Sequence, residues 1–81
     1  MSLRADEHHH FTELRMDSDE QTYLRFFTRN LNIYPRYIYP VDVTGRVVGN
    51  RLPPQATLKE GIDRLLVVGP YEEHYYKINR S

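Results

Sequence analysis

Residues 57–69 read TLKEGIDRLLVVG, and the way this stretch folds decides the architecture of the whole chain. Thr57 with Glu60 three residues on fits the capping box that opens a helix, and Leu58, Ile62, Leu65 and Leu66 follow as an apolar stripe. That spacing predicts a short helix over 58–65. Gly61 costs such a helix about 1 kcal/mol relative to alanine, which leaves room for a single turn leading into a strand over 65–68. Gly69-Pro70 ends either version.

Upstream, residues 36–52 read RYIYPVDVTGRVVGNRL, two aromatic and β-branched runs separated by Thr44-Gly45. They predict a β-hairpin in which Gly45 supplies the positive φ of a tight turn. Pro40 has no N–H to donate to a ladder, so the first strand of this hairpin is expected at an edge or bulged there. Pro53-Pro54 forces an extended stop after it.

Further upstream, Tyr23, Leu24, Phe27 and Leu31 recur at three- and four-residue spacing, with Gln21, Arg25 and Arg29 on other faces. An amphipathic helix is expected over about 18–31, opened by Asp17 with Glu20 and stopped at Asn30 or Asn32 before Pro35. Residues 9–16 (HHFTELRM) have a strand-like pattern. The tail YEEHYYKIN (71–79) is rich enough in tyrosine and isoleucine to be the last strand.

With a helix over 58–65, the order is β-α-β-β-α-β. This is a small, two-layer, ferredoxin-like α+β domain, with one long and one short helix on one face of an antiparallel sheet. It is the first expectation. With a strand there instead, one long helix packs on a mixed sheet in the β-grasp, or ubiquitin-like, manner. In that setting RYIYPVDVTGRVV, with LKEG and VVGPYEEHYYKIN behind it, resembles the later part of a doublecortin-type ubiquitin-like domain; the resemblance implies the β-grasp fold, and a first hairpin before the helix is not evident.

The 81 residues are one domain's worth of chain, with a thin core, residues 1–8 forming a solvated and frayed segment. Met1-Ser2-Leu3 is compatible with a vector-derived leader and the whole with a piece of a longer protein. Without cysteine there is no disulfide framework, which favours a cytoplasmic or nuclear setting. No apolar run approaches the roughly 18 to 20 residues of a membrane span. Formal net charge is zero, but residues 1–24 sum to −4, residues 25–59 to +5 and the remainder to −1. The neutral total disfavours a dedicated nucleic-acid binder, while the basic middle keeps the idea alive locally.

Neither G-x-S-x-G, a P-loop nor G-x-G-x-x-G occurs, no motif sets a nucleophile beside a base, and the chain is short for enclosing a substrate pocket, so no enzyme is expected. His8, His9 and His10 follow two acids, but in an extended chain only His8 and His10 share a face. A closed metal site would need a ligand from elsewhere, such as His74. Neither metal nor cofactor is expected, a small metal-assisted enzyme being the least favoured of three readings.

Seven tyrosines are the most unusual feature, and six of them, Tyr34, Tyr37, Tyr39, Tyr71, Tyr75 and Tyr76, lie outside the long helix. Tyrosine combines a large apolar ring with a hydroxyl that tolerates water, and with arginine it is enriched at interfaces. Arg36, Tyr37, Tyr39, Arg46, Arg51, Tyr71, Tyr75 and Tyr76 are therefore the expected binding residues of a non-catalytic protein-interaction module. Tyr37 and Tyr39 share one strand face, either against the helices or away from them. The rival reading is RNA or single-stranded nucleic-acid binding, with tyrosines stacking on bases and Arg25, Arg29, Arg36, Arg46 and Arg51 meeting phosphates. A thin core also predicts a two-fold homodimer through an edge strand, with YEEHYYKIN as the candidate edge.

Overall fold

A computed structural model describes residues 10–16, 22–57 and 62–80. Its elements are β1 (Thr12–Met16), α1 (Tyr23–Leu31), β2 (Tyr37–Pro40), β3 (Arg64–Val68) and β4 (Glu73–Arg80). The strands form one sheet in the order β1-β4-β3-β2, with β1 parallel to β4 and the other two pairings antiparallel. β1 and β2 thus run parallel at opposite edges of the sheet. They are joined through α1, and the β3–β4 hairpin is inserted between them as in a split βαβ unit.

This arrangement overturns the ferredoxin-like expectation in both strand order and strand direction, and α1 is the one helix among the described residues. Ile62 and Asp63 are irregular and Leu65 lies in β3, so the described part of the expected second helix is not helical. The physical reason lies in the period. Leu65 and Val67 are buried while Leu66 and Val68 are half-buried, a two-residue alternation that a helix cannot present. Residues 58–61, and with them the Thr57–Glu60 capping box, lie outside the described residues. The β-grasp order is not realised either: there the strand after the helix lies beside the last strand, whereas here β3 separates β2 from β4.

The expected hairpin is also corrected. Its turn forms, with Gly45 at φ 90°, the Asp42 and Arg46 backbones joined at 2.9 Å, and the Gly45 N–H donating to the Asp42 carbonyl. Its second strand does not. Residues 46–52 touch β2 through two isolated bridges, Val41 with Val47 and Ile38 with Leu52, and three steps along β2 are matched there by five along the partner. Pro40, which has no donor, sits between the bridges, and its carbonyl accepts from Val48 at 2.9 Å. The strand that pairs continuously with β2 is β3.

α1 begins at Tyr23, and the expected start at Ser18 with its Asp17–Glu20 pair lies outside the described residues. Thr22, extended at φ −124° and ψ 157°, is the N-cap, and its hydroxyl accepts the Arg25 N–H at 3.1 Å. The first two helix donors, Tyr23 and Leu24, are satisfied by the carbonyls of Ala56 and Pro54, so the segment after Pro53 closes the helix start. At the other end Asn32 takes the left-handed conformation at φ 56° and donates to Thr28, as an asparagine stop should. Tyr23, Phe26 and Phe27 form the fully buried face of α1, meeting Ile38, Leu65, Val67, Tyr76 and Ile78 of the sheet, with Leu14, Met16 and Leu31 packed around them.

The candidate dimer edge is corrected by topology. β4 lies between β1 and β3, paired with β3 over Glu73–Lys77 and with β1 over Tyr76–Arg80, so it is not an edge strand of the sheet. Among the described residues no helix is long and apolar enough to cross a membrane.

Candidate functional site

Because α1 covers one face of the sheet, strand alternation sends the intervening residues to the other face. A stripe crosses that face. Tyr75 on β4 is opposite Leu66 on β3, which is opposite Tyr39 on β2, and Phe11, just before β1, meets the Tyr75 ring edge-on at 5.5 Å. One row on, Glu73, Val68 and Tyr37 are in register, with the Arg51 guanidinium 4.3 Å from the Tyr37 ring centre. On the other side Glu13, Lys77 and Arg64 form a polar row. There the Arg64 guanidinium lies 4.8 Å from the centre of the Phe11 ring. Asn79 accepts from Lys77 and donates to Glu13, fixing these charges at the rim.

Open sheet faces are usually polar, whereas this one carries an aromatic and aliphatic band with a charged border. Among the described residues it is the face opposite the single helix.

A second feature lies at one end of the helix-bearing face. The chain leaving α1 at Asn32–Tyr34 faces the β3–β4 loop, and between them is a cleft of about 250 Å³. Gly69 N–H donates to the Glu72 carbonyl at 2.8 Å and closes that loop. Tyr76 forms part of the cleft wall, flanked by Phe27 at 5.1 Å and His74 at 4.9 Å. Burial, and then the nearby Glu72 carboxylate, hold the Tyr76 hydroxyl above the ordinary tyrosine range. His74 Nε2 is 2.7 Å from the Thr12 hydroxyl.

The eight residues singled out from sequence are therefore divided. Tyr37, Tyr39, Arg51 and Tyr75 converge on the helix-free face. Tyr71 is 96% exposed at the tip of the β3–β4 loop, while Tyr76 is in the core and reaches only the cleft wall. Arg36 is exposed just before β2, and Arg46 is exposed in the Asp42 turn, where its backbone N–H donates to the Asp42 carboxylate. Phe11, Leu66, Val68, Arg64 and Lys77 complete the face and were not singled out. The period-two pattern of RLLVV and YEEHYYKIN carries their signal once β3 and β4 are known to pair.

Among the described residues no three histidine, aspartate or glutamate side chains come together as metal ligands. His10 is exposed, and His8 and His9 lie outside the described residues. Compared with protein-family models, curated proteins and solved structures, the chain matches none.

Proposed function

We propose that this chain is a non-catalytic protein-binding module that engages its partner through the helix-free face of the sheet. The observation that carries the reading is the continuous stripe Phe11–Tyr75–Leu66–Tyr39, with Tyr37 beside it and a charged border. Interfaces of this kind have aromatic anchors inside and charges at the rim. Tyr37 and Phe11 each already hold a guanidinium against the ring, and Glu13 and Glu73 share the face. Both features favour a protein over a nucleic-acid strand, whose bases need free ring faces and whose phosphates avoid carboxylates. The cysteine-free chain suits a reducing compartment such as the cytoplasm.

The test compares the chain with Leu66→Asp and Tyr39→Ser variants of matched melting temperature. A protein partner, a second copy of the chain included, should associate with the parent and be lost by both variants, as read by sedimentation and affinity capture. Equal association by parent and variants refutes the face as an interface. Backbone NMR shifts on the face with a mixed-sequence oligonucleotide, steeply weakened by salt, would establish the nucleic-acid reading instead.

A further inference from the structure

We propose that the cleft between the end of α1 and the β3–β4 loop binds the methylated ammonium head of a lysine side chain on a partner protein. The proposal rests on the protein-binding reading above but uses a different surface. The lining brings together three tyrosines, Tyr34, Tyr71 and Tyr76, with His74 and Glu72, and among the described residues no lysine or arginine lines it. Aromatic faces carry negative potential, and a cation within about 6 Å of a ring centre is attracted to it. Glu72 adds a formal negative charge on the same wall, close enough to be felt at the Tyr76 hydroxyl. The site is complementary to a cation in both respects.

Size and polarity narrow the class of cation. At about 250 Å³ the cleft is below the roughly 300 Å³ at which small-molecule pockets begin, and it suits one head group or side-chain tip. A bare ammonium is a compact, strongly hydrated charge that needs several acceptors when it leaves water. Ile33, Val67 and Pro70 are apolar, the Glu72 carbonyl is already used by Gly69 and His74 Nε2 is beside the Thr12 hydroxyl, which leaves Glu72 as the charged acceptor, with Asn32 and the tyrosine hydroxyls as neutral ones. Methyl groups remove that hydration demand and present an apolar, charged surface to the rings. Tyr34 and Tyr71, 65% and 96% exposed, contribute nothing to the core, and their place beside the cleft is what the proposal explains.

The experiment is an NMR titration of the full chain, labelled in its backbone amides and tyrosine rings. The probes are trimethyllysine with blocked ends, unmethylated lysine treated the same way, the neutral tert-butyl isostere of trimethyllysine, and choline. Saturable shifts at Tyr34, Tyr71 and Tyr76 with trimethyllysine are expected, several-fold weaker with lysine and absent with the neutral isostere. Tyr71→Ala and Tyr34→Ala should each weaken binding about two- to five-fold, the range of an exposed cation–π contact. Glu72→Gln should do likewise and flatten the salt dependence. No shifts at tens of millimolar trimethyllysine, or equal shifts with the neutral isostere, overturn the proposal. Tighter binding of choline than of trimethyllysine overturns the lysine assignment. Tyr39→Ser should leave the trimethyllysine shifts untouched, so the cleft and the sheet face fail or stand separately.

Discussion

Replacing Phe27 by alanine tests the core that holds both surfaces in place. The Phe27 ring is fully buried on the inner face of α1, with Phe26 at 5.2 Å and Tyr76 at 5.1 Å between ring centres. Truncating a buried phenylalanine costs about 3 to 5 kcal/mol, the loss of two aromatic contacts of roughly 0.5 to 1.5 kcal/mol each being part of it. A chain of 81 residues has a total stability of about 4 to 12 kcal/mol. The substitution therefore removes from about a quarter of the stability to all of it, which corresponds to a melting temperature lowered by roughly 15 °C or more. Urea unfolding followed by far-ultraviolet circular dichroism measures the change, with Arg25→Ala as the exposed control on the same helix, expected within about 0.5 kcal/mol of the parent. A Phe27→Ala chain that unfolds within about 1 kcal/mol of the parent would refute the assignment of this helix face to the core.

Two further predictions concern the segment beside β2. A Cβ added at Gly49 would lie 2.9 Å from Pro40 Cγ, so Gly49→Ala should cost about 1 to 2 kcal/mol in the same urea assay, and the cost should shrink when Pro40 is also alanine. Asp42 accepts from the Thr44 hydroxyl and from the Arg46 and Thr44 amides, and these bonds, led by that of the Thr44 side chain, hold its carboxyl below the ordinary value of 3.8. Because the folded-state value is the lower one, the stabilisation is present above about pH 4 and is lost as pH falls through the folded-state value. Asp42→Asn should lower stability at neutral pH and lack that acid-dependent component in a pH series of urea midpoints.

Local signals were read correctly where the physics is local. The spacing of Tyr23, Leu24, Phe27 and Leu31 located α1, although Leu24 is half-buried and outside the core, Asn32 supplied its left-handed stop, and Gly45 supplied the positive φ of the turn. Phe26 is outside the Tyr23, Leu24, Phe27 and Leu31 stripe read from spacing, yet the core receives both adjacent phenylalanines. The failures are failures of pairing. Ile62, Leu65 and Leu66 satisfy a helical stripe as well as a strand, and only the burial of Leu65 and Val67 under α1 separates the two. The partner of β2 lies beyond the next segment in sequence rather than within it, because Pro40 breaks the nearer pairing and β3 offers an uninterrupted one. β4 looked like a free edge because nothing in YEEHYYKIN announces that β1, more than 60 residues earlier, will pair with it in parallel.

The tyrosines show why the candidate sites were only half legible. Tyr23 and Tyr76 are core, Tyr37, Tyr39 and Tyr75 are on the helix-free face, and Tyr34 and Tyr71 stand exposed at the cleft. Tyr75 and Tyr76 are neighbours in sequence and belong to opposite faces, so no composition count could have sorted them. The residue type is nonetheless informative once the faces are known. A strand needs no aromatic ring on its solvent side, since threonine or valine gives comparable strand propensity with less apolar area in water. In a domain whose core is this thin, five tyrosines held out of it represent apolar area that folding uses only in part, Tyr39 and Tyr75 being half-buried and Tyr34, Tyr37 and Tyr71 exposed. Binding can use it, because a ring that is already held by its strand or loop loses little rotamer freedom when a partner covers it. The helix-free face and the cleft are where these rings collect, and the β3–β4 hairpin contributes residues to both. A partner engaging either surface would therefore act on the same rigid element, with Glu73 and Tyr75 turned to one side and Glu72, His74 and Tyr76 to the other.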